Sequence, residues 1–346
     1  MTSVERMQKA INFIEPDVVP VCPLYLYPSA ELYGTTVKEY ASNGKIMAEC
    51  LLASQEKFKF DGITVGTDVT IEAEAVGSVV KQPLNSPAYV TKYKLEDIKN
   101  FDSLTIPDPY TTGRMPVVID AVKQCAQKVG DQVYIIGLVQ GPINIASQLR
   151  GVENLMMDFF DNFDFVVELF EYCIKLGNVF AKALVESGAR CIQTGEALAS
   201  PAFISPTVYK DFISVMEKKQ HEEILSYGAE SILVHICGQT ISILDDAAET
   251  KASAIDLDSP VDMKEAKRIL HGRMAMKGNI DSSDVLLRGT PDLVRQKTKE
   301  VIYAAGEGGG LIIGSGCDVC YGTPYENIQA LVEATREFGQ YPIMPA

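Results

Sequence analysis

Apolar residues in this chain follow two alternating rhythms. From about residue 130 onward, short apolar runs rich in β-branched residues alternate with longer stretches in which apolar positions return every three or four residues. The first rhythm is that of strands buried on both faces, and the second that of helices with one apolar stripe. The pattern predicts strands at 133–139, 190–195, 231–237, 252–257, 273–277 and 311–314. It predicts helices at 143–149, 153–186, 206–227, 240–249, 262–270, 291–305 and 324–338. Thr290-Pro291 has the form of a helix start, with a hydroxyl cap followed by a residue whose missing N–H costs nothing there. Two further strands are predicted upstream, at 18–24 and 62–65, with a helical pattern over 37–58 between them.

Eight strands with intervening helices fit an α/β fold of the (β/α)8 TIM barrel type, whereas a doubly wound sheet would use fewer strands. Two parts stand outside the repeat. Residues 2–13 read as an N-terminal helical extension, because Thr2-x-x-Glu5 has the spacing of a capping box. Residues 72–93 read as a small insertion after the second strand, built from short antiparallel strands. No stretch has the composition of a linker, so residues 1–346 are expected to form a single domain.

Composition narrows the partners. A formal charge of −15 argues against a nucleic-acid or anionic-membrane surface, both of which draw on clustered Lys and Arg. Glu5, Arg6 and Lys9 interrupt the place where a secretory signal needs an apolar run, and no apolar run is long enough to span a bilayer. The eight cysteines are scattered through apolar segments, unlike the dense framework of a small secreted domain, so reduced thiols and a cytoplasmic setting are expected. There is no phosphate-binding loop; the glycines at 306–310 read as a turn between a helix and a strand.

The candidate chemistry lies at strand ends. In Leu233-Val234-His235-Ile236-Cys237-Gly238 an imidazole and a thiol stand two residues apart, so they share one face of a strand, about 6.5 Å apart along it. A second thiol pair, Cys317 and Cys320, follows the last predicted strand. In a barrel both groups reach the C-terminal mouth, where active sites are built. One imidazole with two thiolates, His235, Cys237 and Cys317, is a donor set that zinc favours, and three protein ligands leave a place for substrate. The plainer alternative is that a strand His is a packing residue and buried Cys a small hydrophobe. Cys320 is either a fourth ligand or a packing residue. Asp68, Glu196, Asp256 and Asp258 are acids at strand ends, Gln140 and Asn279 are amides placed to reach the mouth, and Glu72 and Glu74 are expected at the surface, with a place at the mouth as the alternative. His221, among Lys218, Lys219, Glu222 and Glu223, reads as part of a solvated helix face, and His271 as a helix end.

Several of these residues carry a resemblance. Glu15-Pro16-Asp17-Val18-Val19-Pro20-Val21, Asp68 with Glu72-Ala73-Glu74-Ala75-Val76-Gly77, Gly141-Pro142, His235-Ile236-Cys237-Gly238, Gly278-Asn279-Ile280-Asp281 and Gly316-Cys317-Asp318 are similar to the uroporphyrinogen decarboxylase superfamily. Within it the chain most resembles the methylcobamide:coenzyme M methyltransferase branch. The resemblance implies catalytic zinc on His235, Cys237 and Cys317, and a methyl group moved from a methylcobamide to a zinc-activated thiol such as coenzyme M. From their places at strand ends, Asp68 and Glu196 are expected to act as catalytic residues at the mouth and Gln140 and Asn279 as cofactor contacts. Glu196 stands where the resemblance implies an aspartate, and Cys320 is an addition to the pattern. None of the three histidines has the Asp-x-His-x-x-Gly setting of a cobalt lower ligand, so the corrinoid is expected on a separate corrinoid protein. The alternative is a metal-free decarboxylase-like lyase. That branch resembles the chain less well, because Cys22-Pro23-Leu24-Tyr25-Leu26-Tyr27 stands where arginines would pair the carboxylates of a porphyrinogen.

Overall fold

In the computed structural model, which describes residues 1–343, nine strands are formed: Gly62–Val65 (β1), Val79–Lys81 (β2), Tyr89–Lys92 (β3), Tyr134–Gln140 (β4), Cys191–Gly195 (β5), Ser231–Ile236 (β6), Ala254–Leu257 (β7), Ala275–Ile280 (β8) and Leu311–Ser315 (β9). Seven of them make one all-parallel sheet in the order β1-β4-β5-β6-β7-β8-β9. Helices cross over between successive strands, which is what parallel pairing demands. The result is a TIM-barrel-like α/β architecture. β2 and β3 pair antiparallel as a separate hairpin inside the segment after β1.

The stretch 18–24 is not a regular strand, and proline is the reason. Pro20 and Pro23 have no N–H to give, so a continuous ladder cannot form there. What forms instead is an extended bridge across the gap between the two sheet edges. Cys22 N–H donates to the Ile313 carbonyl (2.7 Å), Ile313 N–H to the Pro20 carbonyl (2.8 Å), and Asp61 N–H to the Val21 carbonyl (2.8 Å). The buried Asp61 carboxylate accepts from Val21 N–H (2.8 Å) and pairs with Arg6 and Arg336, tying this segment to both termini of the fold.

Other expectations shift for similarly local reasons. The pattern over 37–58 is two helices, Val37–Ser42 and Gly44–Phe58, because Asn43 leaves helical geometry and caps the second one through Ile46 N–H. The stretch 153–186 likewise breaks at Asn162 into Val152–Asp161 and Phe163–Glu186. Over 240–249 only a short helical turn and Leu244–Ala247 form. Helices Tyr27–Tyr33 and Met115–Val129 were not anticipated from the pattern. Each carries a proline in its first turn, which is the signal that could have placed it.

The core has two parts. The larger fills the space between the sheet and the surrounding helices. The smaller lies inside the curled sheet, where Tyr134, Ile136, Leu233, Ala254 and Ile312 meet Val4, Met7 and Ala10 of helix Ser3–Ile11. That helix is capped reciprocally by Thr2 and Glu5, and its every-third-residue apolar stripe plugs the lower end of the sheet. Burying Val4 and Met7 there contributes roughly 1.5–3 kcal/mol each. Two residues further along β5, β6, β7 and β8 the inward positions turn polar, at Gln193, His235, Asp256 and Lys277, and that change of tier sets up the mouth.

Candidate metal centre

Strand register aligns the first row of the site. His235 on β6 stands opposite Asp256 on β7, and Asp256 opposite Lys277 on β8, so their side chains lie at one height on one face. All three are buried. Asp256 Oδ2 receives Lys277 Nζ at 2.6 Å and lies 3.3 Å from His235 Nδ1, an ion-pair contact rather than a well-aligned hydrogen bond. Gly314 on β9 makes room for the lysine, since a Cβ there would sit 3.2 Å from Lys277 Cγ.

One step higher are the thiols. Cys237 leaves β6 at a turn that Gly238 makes in left-handed geometry (φ +79°), and Gly238 N–H is held by Asp258 Oδ2 at 2.8 Å. Cys317 follows β9, with its carbonyl accepting from Ser282 Oγ (3.1 Å). Although two strands separate β6 from β9, the curvature of the sheet brings the side chains together. His235 Nε2 is 3.3 Å from Cys237 Sγ and 3.9 Å from Cys317 Sγ, and the three donor atoms all lie within 4.8 Å of one another. Tetrahedral zinc at ordinary bond lengths would set its nitrogen and sulfur donors about 3.6 Å apart and its sulfurs about 3.8 Å apart. The donor set and its spacing therefore fit zinc. Nδ1 faces a carboxylate while Nε2 faces the thiols, the arrangement that fixes the tautomer of a metal-ligating histidine.

The charges of the cluster respond to each other. Burial works against a charged His235, yet Asp256 and Cys317 outweigh it and raise the imidazole to about 10. Hydrogen bonding from Cys237, aided by His235, overcomes burial and holds Cys317 down to about 4. Cys237, the partner that keeps its proton, is pushed well up by Cys317 and by burial. Burial also opposes ionising Asp256, but Lys277 and His235 hold it below the usual carboxylate range.

Above the cluster opens a cavity of about 260 Å³ with His235, Cys237 and Cys317 in its wall, alongside Leu24, Leu26, Val69, Pro87 and Leu138. Asp68 and Gln140 also line it. Asp68 is gripped by both terminal nitrogens of Arg114 (2.6 and 3.0 Å), which offsets burial and keeps its carboxyl low. Gln140 accepts from Asn144 Nδ2 at 3.0 Å.

Other residues singled out in the sequence are not brought into this cavity. Asn279 turns its amide to the carbonyls of Asp258 (3.2 Å) and Val261 (2.8 Å), where it braces the loop after β7. Glu196 packs beneath helix Pro142–Arg150, and a Cβ on Gly141 would fall 2.1 Å from its carboxyl carbon. Its carboxyl lies against the backbone N–H groups of Ile143 and Asn144 at the start of that helix, yet burial together with Glu217 outweighs them and raises it far above the usual range. Cys320 stands outside the three-atom cluster, 3.7 Å from Ser283 Oγ.

Two readings from sequence are overturned. Glu72 is buried rather than at the surface; it accepts from Gln140 N–H (2.8 Å) and is raised by burial to about 7. His221 is fully buried, between Thr194 Oγ1 (3.1 Å) and the Thr250 carbonyl (2.9 Å). Glu74 is half-buried on Arg114, at 2.6 Å. Among the described residues no helix is long and apolar enough to cross a membrane.

Comparison with known proteins adds to this geometry. The family model described as uroporphyrinogen decarboxylase (URO-D) matches residues 2–338. The methylcobamide:CoM methyltransferase MtaA of Methanosarcina barkeri (strain Fusaro) is 30% identical over 96% of this chain and 97% of its own length. The methylcobamide:CoM methyltransferase MtbA of Methanosarcina mazei is 29% identical over 97% and 98% of the two chains. A solved methyltransferase from Methanosarcina mazei superposes with a TM-score of 0.90 at 27% identity, covering 98% of this chain and 99% of that one.

Proposed function

This chain belongs to the uroporphyrinogen decarboxylase (URO-D) family, and on that premise we propose that it is a methyltransferase that moves a methyl group from a methylated corrinoid to a thiol. The observation that carries the reading is the meeting of His235 Nε2, Cys237 Sγ and Cys317 Sγ within 4.8 Å in the wall of an apolar cavity. These three side chains would hold Zn2+ in the cavity wall. Bound there, zinc supplies a deprotonated, nucleophilic thiol at neutral pH.

The chain's own residues do the rest. Asp256 keeps the His235 Nδ1 proton in place so that Nε2 faces the cavity, and Lys277 balances the Asp256 charge. The apolar wall of Leu24, Leu26 and Leu138 excludes water from the reacting sulfur. In the transfer, the methyl carbon bonds to sulfur while its bond to cobalt breaks. The electron pair stays on cobalt, so methylcob(III)amide becomes cob(I)amide and the thiolate, whose proton has left to solvent, becomes a methyl thioether. Asp68 and Gln140 stand at the cavity wall where substrate arrives; Glu196 and Asn279 support the framework behind it. The corrinoid comes on a separate protein that docks over the mouth. All eight cysteines are unpaired, in keeping with a reducing cytoplasm.

A decarboxylase-like lyase is poorly supported, since no Lys or Arg lines the cavity among the described residues to pair the carboxylates of a porphyrinogen. Zinc-loaded protein mixed with methylcobalamin and a panel of thiols tests the reading. The expected result is thiol-dependent loss of the methylcobalamin spectrum. Stoichiometric zinc with no demethylation by any thiol, or decarboxylation of uroporphyrinogen by zinc-free protein, would sink it.

A further inference from the structure

We propose that the thiol this chain methylates is uncharged and carries a short apolar substituent, in contrast to coenzyme M, the sulfonate-bearing thiol in the names of its relatives. The proposal deepens the methyl-transfer reading and rests on it.

The cavity wall supplies the argument. Beyond the three ligand side chains, most of it is apolar, with Leu24, Leu26, Val69, Pro87, Ala88 and Leu138 facing the space, and its N–H donors are the uncharged amides of Gln140, Asn144 and Gln193, of which Asn144 already donates to Gln140. Its only carboxyl groups belong to Asp68 and Asp318, and among the described residues no lysine or arginine lines it. A sulfonate or carboxylate taken out of water needs a cationic or N–H-rich partner. The nearest guanidinium, Arg114, is already committed. Its Nη1 and Nη2 grip Asp68, Nη2 also reaches Thr70 Oγ1 at 2.9 Å, and its Nε donates to Glu74. Helix Pro142–Arg150 begins beside the cavity, but Glu196 is packed against its first turn. Tyr27, whose hydroxyl could greet an anion, contacts Thr67 Oγ1 at 3.3 Å.

Size and field agree with this. A volume of about 260 Å³ falls just below the usual ligand-pocket range of roughly 300–1,000 Å³. It suits a thiol of a few heavy atoms beneath an approaching corrin face. The chain's charge of −15 further disfavours collecting an anionic substrate.

Cobalt(II)-substituted protein gives a binding readout independent of turnover, because thiolate coordination adds a sulfur-to-cobalt charge-transfer band. Titration with propanethiol, 2-mercaptoethanol, 3-mercaptopropionate and 2-mercaptoethanesulfonate at matched thiolate concentration should show propanethiol binding at least about tenfold more tightly than the two anionic thiols. The KM values with methylcobalamin should follow the same order. Equal or tighter binding of the anionic thiols overturns the proposal and leaves the methyl-transfer reading standing. No band with any thiol and no demethylation overturns both. Val69 is at the partly exposed rim of the cavity, so Val69→Lys adds a cation without disturbing the core. It should narrow the propanethiol-to-sulfonate affinity ratio by about tenfold at low salt; an unchanged ratio overturns the claim that wall charge sets the preference.

Discussion

Two histidines in this molecule are both buried and behave in opposite ways. His235 ends a strand, faces Asp256 on one side and two thiols on the other, and is raised to about 10. His221 sits on helix Ser214–Ser226 between a threonine hydroxyl and a backbone carbonyl, and burial lowers it to about 4. Burial is common to both, so burial alone does not make a site. What differs is the partner set. Neutral hydrogen-bond partners satisfy a neutral imidazole and leave it inert, whereas a carboxylate behind the ring and thiols in front polarise it toward a cation.

The largest break in that comparison comes from removing a thiol. Cys317→Ser leaves one imidazole and one thiol. Zinc affinity should then fall by more than the roughly 100-fold typical of outer partners, and thiol-dependent methylcobalamin demethylation should drop to background. Metal analysis after dialysis and the methylcobalamin absorbance check this together. A variant retaining one zinc per chain would show that Cys317 is not part of the donor set. Cys317 is only half-buried in a loop, so the circular-dichroism spectrum should not change.

Removing the carboxylate behind His235 should have a smaller effect on metal and a clear one on stability. Asp256→Asn takes away the group that orients Nδ1, for an expected loss of about 10–100-fold in zinc affinity by chelator competition. It also strands the fully buried Lys277, at a cost of about 3–5 kcal/mol in denaturant unfolding. Adding Lys277→Met should restore most of that stability without restoring the affinity. If the double variant recovers both, Asp256 serves only as a counter-ion to the lysine.

These contrasts also mark what the sequence made legible. The ligand set could be read because its signal is local: His-x-Cys on a strand puts two donors on one face, and a thiol after the last strand lands at the same mouth. His221 was misread because its neighbours Lys218, Lys219, Glu222 and Glu223 are polar. Yet the helix turns Glu217, Gln220, His221 and Ile224 inward together, a stripe hidden by its polar members. The strand rhythm was visible wherever ladder bonding is regular, and failed at 18–24, where Pro20 and Pro23 replace a strand by isolated bridges. Asn279 has the placement of a mouth residue, but two nearby carbonyls take its amide, a competition that spacing cannot reveal.

His221 then offers an acid-side test. A histidine whose folded value is lowered favours the neutral form in the fold, so its contribution is intact above the unfolded value near 6.5 and is lost as pH falls toward about 4. The loss across that window is about 3 kcal/mol. His221→Gln, less stable at neutral pH, should show a flatter dependence of unfolding midpoint on pH between 6.5 and 4. Zinc content should not change. Metal loss in this variant would undo the separation between the two histidines.

The finest test removes one hydrogen bond from the inert partner. The Thr250 carbonyl can only accept, so His221 Nδ1 carries the proton and Nε2 accepts from the Thr194 hydroxyl. Thr194→Val preserves the β-branched shape within β5 and leaves Nε2 buried without a donor, for an expected cost of about 1 kcal/mol in chemical unfolding. Thr194 stands opposite Val234, next to His235 on β6, so this variant also tests whether the two histidines are coupled through the sheet. A stability loss with unaltered zinc affinity keeps them independent. A shift in zinc affinity as large as that from Asp256→Asn would mean that β5 transmits strain to the metal centre, and that the inert histidine is part of its support.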